Sequence, residues 1–254
     1  MFKRIFNYRF DLIWIRIYKI LRFLTFPNLW LIVLKGVVPG FEHIKAIKKI
    51  KNVKKINTLV DCGSNKGQFG IILFSIFNYK KYISFDPIIK PLVFNEYLNN
   101  KRVSSLHNQV ALSNISSSKP FFLTTREDSS SLKKTIKNSK LYFADVDYNK
   151  TINVNVKTLD SYESLIKNSP SPRIIKIDVQ GSELDLINGA SKTLKYFEYI
   201  FIEISFKQIY LDVGNPKDIF FKLSEKGFQE MYSYNSLKRK GKLISKDFVF
   251  KKIH

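Results

Sequence analysis

The sequence predicts an α/β protein with a doubly wound, mostly parallel sheet, a terminal antiparallel hairpin and a basic helical segment in front. Three observations carry this reading. The stretch LVDCGSNKGQFG, Leu59 to Gly70, runs from apolar residues through Asp61 and two glycines into the helix-like run Phe69 to Phe77. Short apolar runs then alternate with helical patterns as far as Asn215, the rhythm of parallel strands joined by crossover helices. Two late strand-like runs, Phe228 to Tyr234 and Asp247 to Ile253, flank a turn around Lys238 to Lys242 and read as a hairpin.

Taken in order, residues 1–55 form a basic segment and residues 56–254 the main domain. The run DLIWIRIYKILRFL, Asp11 to Leu24, gathers Arg16, Lys19 and Arg22 on one narrow helical face and leaves the rest broadly apolar. It is too interrupted to span a membrane and lacks the pattern of a signal peptide. It suits a helix lying in a membrane interface, or one packed on the domain or a second subunit. Gly36 to Gly40 reads as a loop, and Phe41 to Lys55 as a basic helix. Core strands follow: one from Ile56, then Lys81 to Asp86, one near Val103 to Leu112, then Arg173 to Val179 and Tyr199 to Ser205. Helices are predicted over Leu92 to Leu98, from a Ser182 cap to about Lys195, and from Asn215-Pro216 to Gly227. The section between the third and fourth core strands, with FFLTT, a serine-rich loop at Asp128 to Ser131 and the alternating TINVNVKT, reads as an inserted hairpin flanking the site.

Charge narrows the class of partner. The formal net charge is +22, and Lys supplies 35 of the 43 basic residues. Dispersed lysine fits an anionic membrane surface better than the Arg-rich, aromatic-lined groove of a nucleic-acid binder. Cys62 is the single cysteine, which excludes an internal disulfide and a thiolate cluster and fits a reducing, cytoplasmic setting. The three histidines show no metal-ligand spacing.

Polar residues fall at the carboxyl ends of the predicted strands, where open α/β sheets bind ligands. The first turn, Asp-x-Gly-x-x-x-Gly, differs from a dinucleotide fingerprint and disfavours NAD. A carboxylate in front of the glycines suits a ligand with an ammonium group and no phosphate, such as S-adenosylmethionine (SAM). Asp61, Gly63, Asn65 and Gly67 are therefore cofactor candidates. Asp86, some twenty residues on, is placed to accept hydrogen bonds from two ribose hydroxyls. Asp178, His107 and Glu203 are the candidates for acceptor contact or proton removal. A divalent metal could replace a base by lowering a hydroxyl's pKa, but no full ligand set is visible.

As a set, these motifs resemble the FkbM-type SAM-dependent methyltransferases. The matching parts are VDCGSNKG (Val60 to Gly67), FDP (Phe85 to Pro87), VALS (Val110 to Ser113), VKTLD (Val156 to Asp160), IKIDVQGSE (Ile175 to Glu183), INGA (Ile187 to Ala190) and IEIS (Ile202 to Ser205). Gln180 stands where the family usually has an acid. The resemblance implies a class I, Rossmann-like methyltransferase fold, with Asp61 and Gly63 near the aminocarboxylate of SAM and Asp86 on the ribose. Asn108 to Ala111, including Val110, would lie along the adenine. Asp178 would contact the acceptor, and Lys176 and Glu183 would tie strand to helix. The resemblance also implies methyl transfer to a hydroxyl of a sugar or other small metabolite, with surface-polysaccharide assembly as the expected setting. A nucleic-acid methyltransferase and a non-catalytic interaction protein on a degenerate fold are the alternatives.

Overall fold

The computed structural model describes residues 24–51, 55–125, 127–136, 148–239 and 241–253. The predicted interfacial helix, Asp11 to Leu24, lies outside the described residues except for its last one. Strands β1 (Thr58–Cys62), β2 (Lys81–Phe85) and β3 (Ser104–Asn108) are followed by β4 (Ala111–Leu112), β5 (Ser117–Thr124) and β6 (Tyr148–Lys157). Then come β7 (Arg173–Ile177), β8 (Tyr199–Ser205), β9 (Phe228–Arg239) and β10 (Lys242–Lys252). The seven-stranded sheet has the order β3-β2-β1-β7-β8-β10-β9. Its first five strands are parallel, and β10 runs antiparallel to both β8 and β9. The order reverses between β1 and β7, and this switch point is where a ligand crevice forms.

Helices cover both faces: α1 (Trp30–Leu34), α2 (Ile44–Lys51), α3 (Gln68–Phe77), α4 (Leu92–Asn100), α5 (Glu163–Lys167), α6 (Glu183–Asn188) and α7 (Pro216–Glu225). Alternation along the strands divides the core in two. Leu59, Ile174, Phe201 and Val249 pack with α1 to α4, while Val60, Ile175, Ile202 and Phe250 pack with α5 to α7. Each fully buried aliphatic side chain contributes roughly 1.5–3 kcal/mol, so a one-residue slip of any central strand is prohibitive. Leu29, Ile32, Phe41, Ile44, Ile47 and Ile50 join the first cluster. The described part of the basic segment thus shares a core with the sheet. No described helix is long and apolar enough to cross a membrane.

Several predicted elements differ in detail. The run read as one strand from Val103 to Leu112 is two strands in different sheets, because the chain turns at Gln109-Val110. The inserted hairpin is a three-stranded sheet, β4-β6-β5, with β4 parallel and β5 antiparallel to β6. The helix predicted from Ser182 to about Lys195 stops at Asn188. Gly189 packs so closely that a Cβ there would lie 2.1 Å from the Ser113 carbonyl oxygen, and Asp160 draws the N–H groups of Lys192 and Thr193 out of the helix. Asn215 caps α7 as expected, accepting from the Lys217 N–H.

Candidate active site

A cleft of about 430 Å³ opens at the carboxyl ends of β1, β2 and β7. Its floor begins where β1 ends. Gly63 has φ +76°, and a Cβ there would lie 1.9 Å from the Asp178 carbonyl oxygen, so only glycine lets the first turn touch the loop after β7. Gly67, with φ +83°, forms the N-cap of α3 against Phe94 and shapes the turn without lining the cleft. Asn65, also at positive φ, donates its N–H to Asp86 Oδ2 at 3.1 Å. The N–H groups of Ile88 and Ile89 reach Asp86 Oδ1 at 2.9 and 2.7 Å. Burial raises the Asp86 pKa, with these three bonds opposing it. One oxygen accepts a single protein bond and keeps capacity for a ligand hydroxyl.

Parallel register lines up His107, Ser84, Asp61 and Lys176 on neighbouring strands, hence on one face of the sheet. Asp61 is 1% exposed and accepts from the Tyr82 hydroxyl at 3.0 Å. Burial pushes its pKa up to about 6, against the pull of Lys176 and Tyr82. A buried carboxylate facing a cleft is a group that could hold a cationic ligand in addition to Lys176. Burial alone would lower the Lys176 pKa, but the carboxylates of Asp178, Asp61 and Asp247 outweigh it and keep the ammonium charged.

Asp178, a candidate for acceptor contact or proton removal, follows β7 directly and lines the cleft. Burial raises its pKa, but Lys176 Nζ donates to Oδ2 at 2.8 Å and Gln180 Nε2 to Oδ1 at 2.6 Å. The net result lies below the usual carboxylate value. Gln180, at φ +52°, spans two groups: its Oε1 lies 2.9 Å from the Tyr210 hydroxyl. That hydroxyl is also 3.0 Å from the Ser129 carbonyl and shares one proton between the two acceptors. Glu183 accepts the Val179 and Gly181 N–H groups at 3.2 and 3.0 Å and so ties strand end to helix; burial pushes its pKa up to about 7. Ser182 occupies the N-cap of α6 without a side-chain capping bond. Its buried hydroxyl lines the cleft and has no protein partner, which leaves it for a ligand atom.

The structure gathers Asp61, Gly63, Asn65, Asp86, Val110 and Asp178 around this cleft. It does not bring His107, Asn108 or Glu203 to its lining. His107 Nδ1 lies 3.0 Å from Ser84 Oγ, and burial and Lys90 lower its pKa. Asn108 turns its amide back to the Ser84 carbonyl at 3.4 Å, and its own carbonyl accepts the Asp86 N–H. Glu203 pairs in register with Asp247 of β10, and burial, followed by the Asp178 charge, raises its pKa to about 7. The cleft histidine is instead His43, unread in the sequence. Its Nδ1 lies 2.8 Å from the Tyr234 hydroxyl and 3.9 Å from Asp247 Oδ2. Burial and Lys176 lower its pKa to about 3, so it is neutral. A signal for it existed: His43, Ile47 and Ile50 share one helical face that is otherwise core.

Among the described residues no group of three His, Cys, Asp or Glu is arranged to hold a metal ion. The donors present suit SAM: a buried carboxylate for its ammonium, bare glycine backbone beside it, and an acid at the end of β2 for its ribose.

No curated protein matches the chain. Solved structures similar to it include a protein of the NADB-Rossmann superfamily from Streptococcus agalactiae, 12% identical, with a TM-score of 0.43 over 83% of this chain and 68% of that one. A putative rRNA methylase from Clostridium thermocellum is 12% identical, with a TM-score of 0.43 over 86% and 99% of the two chains. An rRNA methylase from Streptococcus thermophilus is 13% identical, with a TM-score of 0.41 over 83% and 95%. The profile of the Methyltransferase FkbM domain matches residues 61–230, two thirds of the sequence and all of the cleft's glycine, Asp86 and Asp178 loops. The chain belongs to the FkbM methyltransferase domain family, and it is a methyltransferase whose cofactor is SAM.

Proposed function

We propose that the chain methylates a hydroxyl oxygen of a sugar or other small, uncharged metabolite in the cytoplasm, with surface-polysaccharide assembly the setting to which the family resemblance points. The observation that carries this reading is the charge of the cleft. Glu42, Asp61, Asp86, Asp128 and Asp178 line it against Lys66 and Lys176, within a protein of net charge +22. An RNA backbone needs the opposite lining, since cations facing phosphates supply most of its affinity. A neutral polyol is compatible with carboxylates, which accept its hydroxyl protons.

SAM, when bound, supplies an electrophilic methyl group on a sulfonium. The chain's part is alignment and proton handling. Asp61 and the Gly63 backbone hold the aminocarboxylate, and Asp86 holds the ribose. Asp178 stands across the glycine turn with both oxygens already pinned, one by Lys176 and one by Gln180. Each oxygen keeps a lone pair, so the carboxylate accepts the acceptor's O–H and aims the nucleophilic oxygen. Its low pKa keeps it ionised throughout the working range, and the acceptor's hydroxyl proton passes late to an Asp178 carboxylate oxygen. In this reading residues 56–254 carry the groups that hold SAM and the acceptor, and Val38, Glu42 and His43 of the preceding segment complete the cleft wall.

The test supplies methyl-labelled SAM with neutral glycosides, nucleotide-linked sugars and RNA transcripts. Label in a neutral glycoside as an alkali-stable methyl ether is expected. Asp178→Asn keeps SAM affinity by calorimetry and loses roughly 100-fold in turnover. Label in RNA, or turnover by Asp178→Asn within threefold of wild type, refutes the reading.

A further inference from the structure

The outward side of the stretch from Pro27 to Leu34 is apolar, where a surface helix ordinarily carries charge. Leu29 and Ile32 turn inward and are 0% and 1% exposed. Pro27, Trp30, Leu31 and Leu34, spaced i, i+3, i+4 and i+7, share the opposite side. Leu31 and Leu34 are 70% and 78% exposed. The patch continues onto α4: Leu92, 64% exposed, stands one turn before Glu96, and Glu96 receives Lys35 Nζ at 2.8 Å. Beyond the turn at Gly36, Val38, 44% exposed and four residues past Leu34 in the chain, lines the cleft.

We propose that this face seats on an anionic lipid bilayer and holds the mouth of the cleft at the membrane surface. The inference goes beyond the methyl-transfer reading and does not depend on it. Charge selects the occupant. The 26 residues that precede the patch carry six Lys or Arg side chains and one acid, Asp11. A second copy would bring the same positive segment, and another +22, against itself. An anionic headgroup layer attracts both the segment and the whole molecule. The apolar stripe then enters the headgroup boundary, and Trp30 sits where tryptophan is favoured, at the edge between headgroups and hydrocarbon.

Full-length protein is floated with vesicles of phosphatidylglycerol and phosphatidylcholine in equal parts, and with vesicles of phosphatidylcholine alone. Binding to the mixed vesicles, weaker binding to the neutral ones, and at least about a tenfold loss in the double variant Leu31→Ser, Leu34→Ser are expected. SAM affinity of the double variant, unchanged by calorimetry, shows that the fold survives. The single variant Leu34→Gln repeats the test with a smaller perturbation, for an expected loss of about threefold. Failure to bind the mixed vesicles overturns the proposal, as does equal binding to neutral ones or equal binding by both variants and wild type. A dimer in sedimentation equilibrium that the double variant dissolves, without vesicle binding by wild type, also overturns it and assigns the face to a second copy.

Discussion

The affinity for SAM should follow the ionisation of Asp61, and pH is the perturbation that reads it. Burial pushes this carboxyl up to about 6, with Lys176 and the Tyr82 hydroxyl holding it from rising further. Only the ionised form pairs with an ammonium group. At pH 7.5 the group is almost wholly charged, at pH 6 half charged, and at pH 5 about one molecule in eleven is competent. Affinity is therefore expected to fall roughly tenfold between pH 7.5 and 5, or ~1.4 kcal/mol. The bound cation draws the carboxyl's pKa down, so binding near pH 5.5 releases a proton. Calorimetry in two buffers of different ionisation enthalpy detects that release. Asp61→Asn keeps an oxygen for Tyr82, and it is expected to weaken binding by about 1.5–3 kcal/mol at pH 7.5 and to flatten the pH slope. A flat affinity from pH 5 to 7.5 refutes the pairing. If the Asp61→Asn variant keeps the wild-type slope, the titration moves to Asp86, whose pKa burial also raises.

Two further outcomes follow from the same geometry. Asp86→Ala removes the acceptor that gathers three backbone N–H groups at the end of β2, and SAM binding by calorimetry should weaken by about 1.5–3 kcal/mol. Equal affinity in the variant, or tighter binding of NAD than of SAM by wild type, contradicts the ribose assignment. Asp247 is held at about 8, by burial first and Glu203 second, so keeping it ionised costs the native state stability as pH rises from 4 to 8. Asp247→Asn should raise the melting temperature relative to wild type, with a gain that grows across that interval and levels off above it. A gain that is constant with pH, or largest at pH 4, shows that the raised pKa is not its source.

The sheet was legible because periodicity reports which face of an element is buried, and the strands of the parallel core are apolar on both. Asp61, Asp86 and Asp178 were legible because position at a strand's carboxyl end is a property of the chain alone. What long-range packing decides was not. His107 has the right residue type at the end of β3, yet the in-register Ser84 hydroxyl takes its Nδ1. His43 and Asp247 lie on segments 204 positions apart by sequence number and meet only because the segment leading into α2 packs on the face of the sheet that bears Asp247 of β10. The sign of the Asp178 shift was likewise out of reach. Three isoleucines before it suggest a dry, proton-holding site, whereas Lys176, two residues back on β7, reverses the balance.

The bridge through Gln180 ties two walls of the cleft together. Ser131 donates its hydroxyl to the Gln180 carbonyl, Tyr210 touches the Gln180 amide, and Lys133 reaches Asp185 at 2.8 Å. The cleft wall at Ser130 and Leu132 is thereby fastened to the loop that carries Asp178. One residue therefore carries both ties: the Gln180 main chain takes the wall through Ser131, and its side-chain amide donates to the Asp178 carboxylate, so a substitution at Gln180 reaches both sides of the cleft.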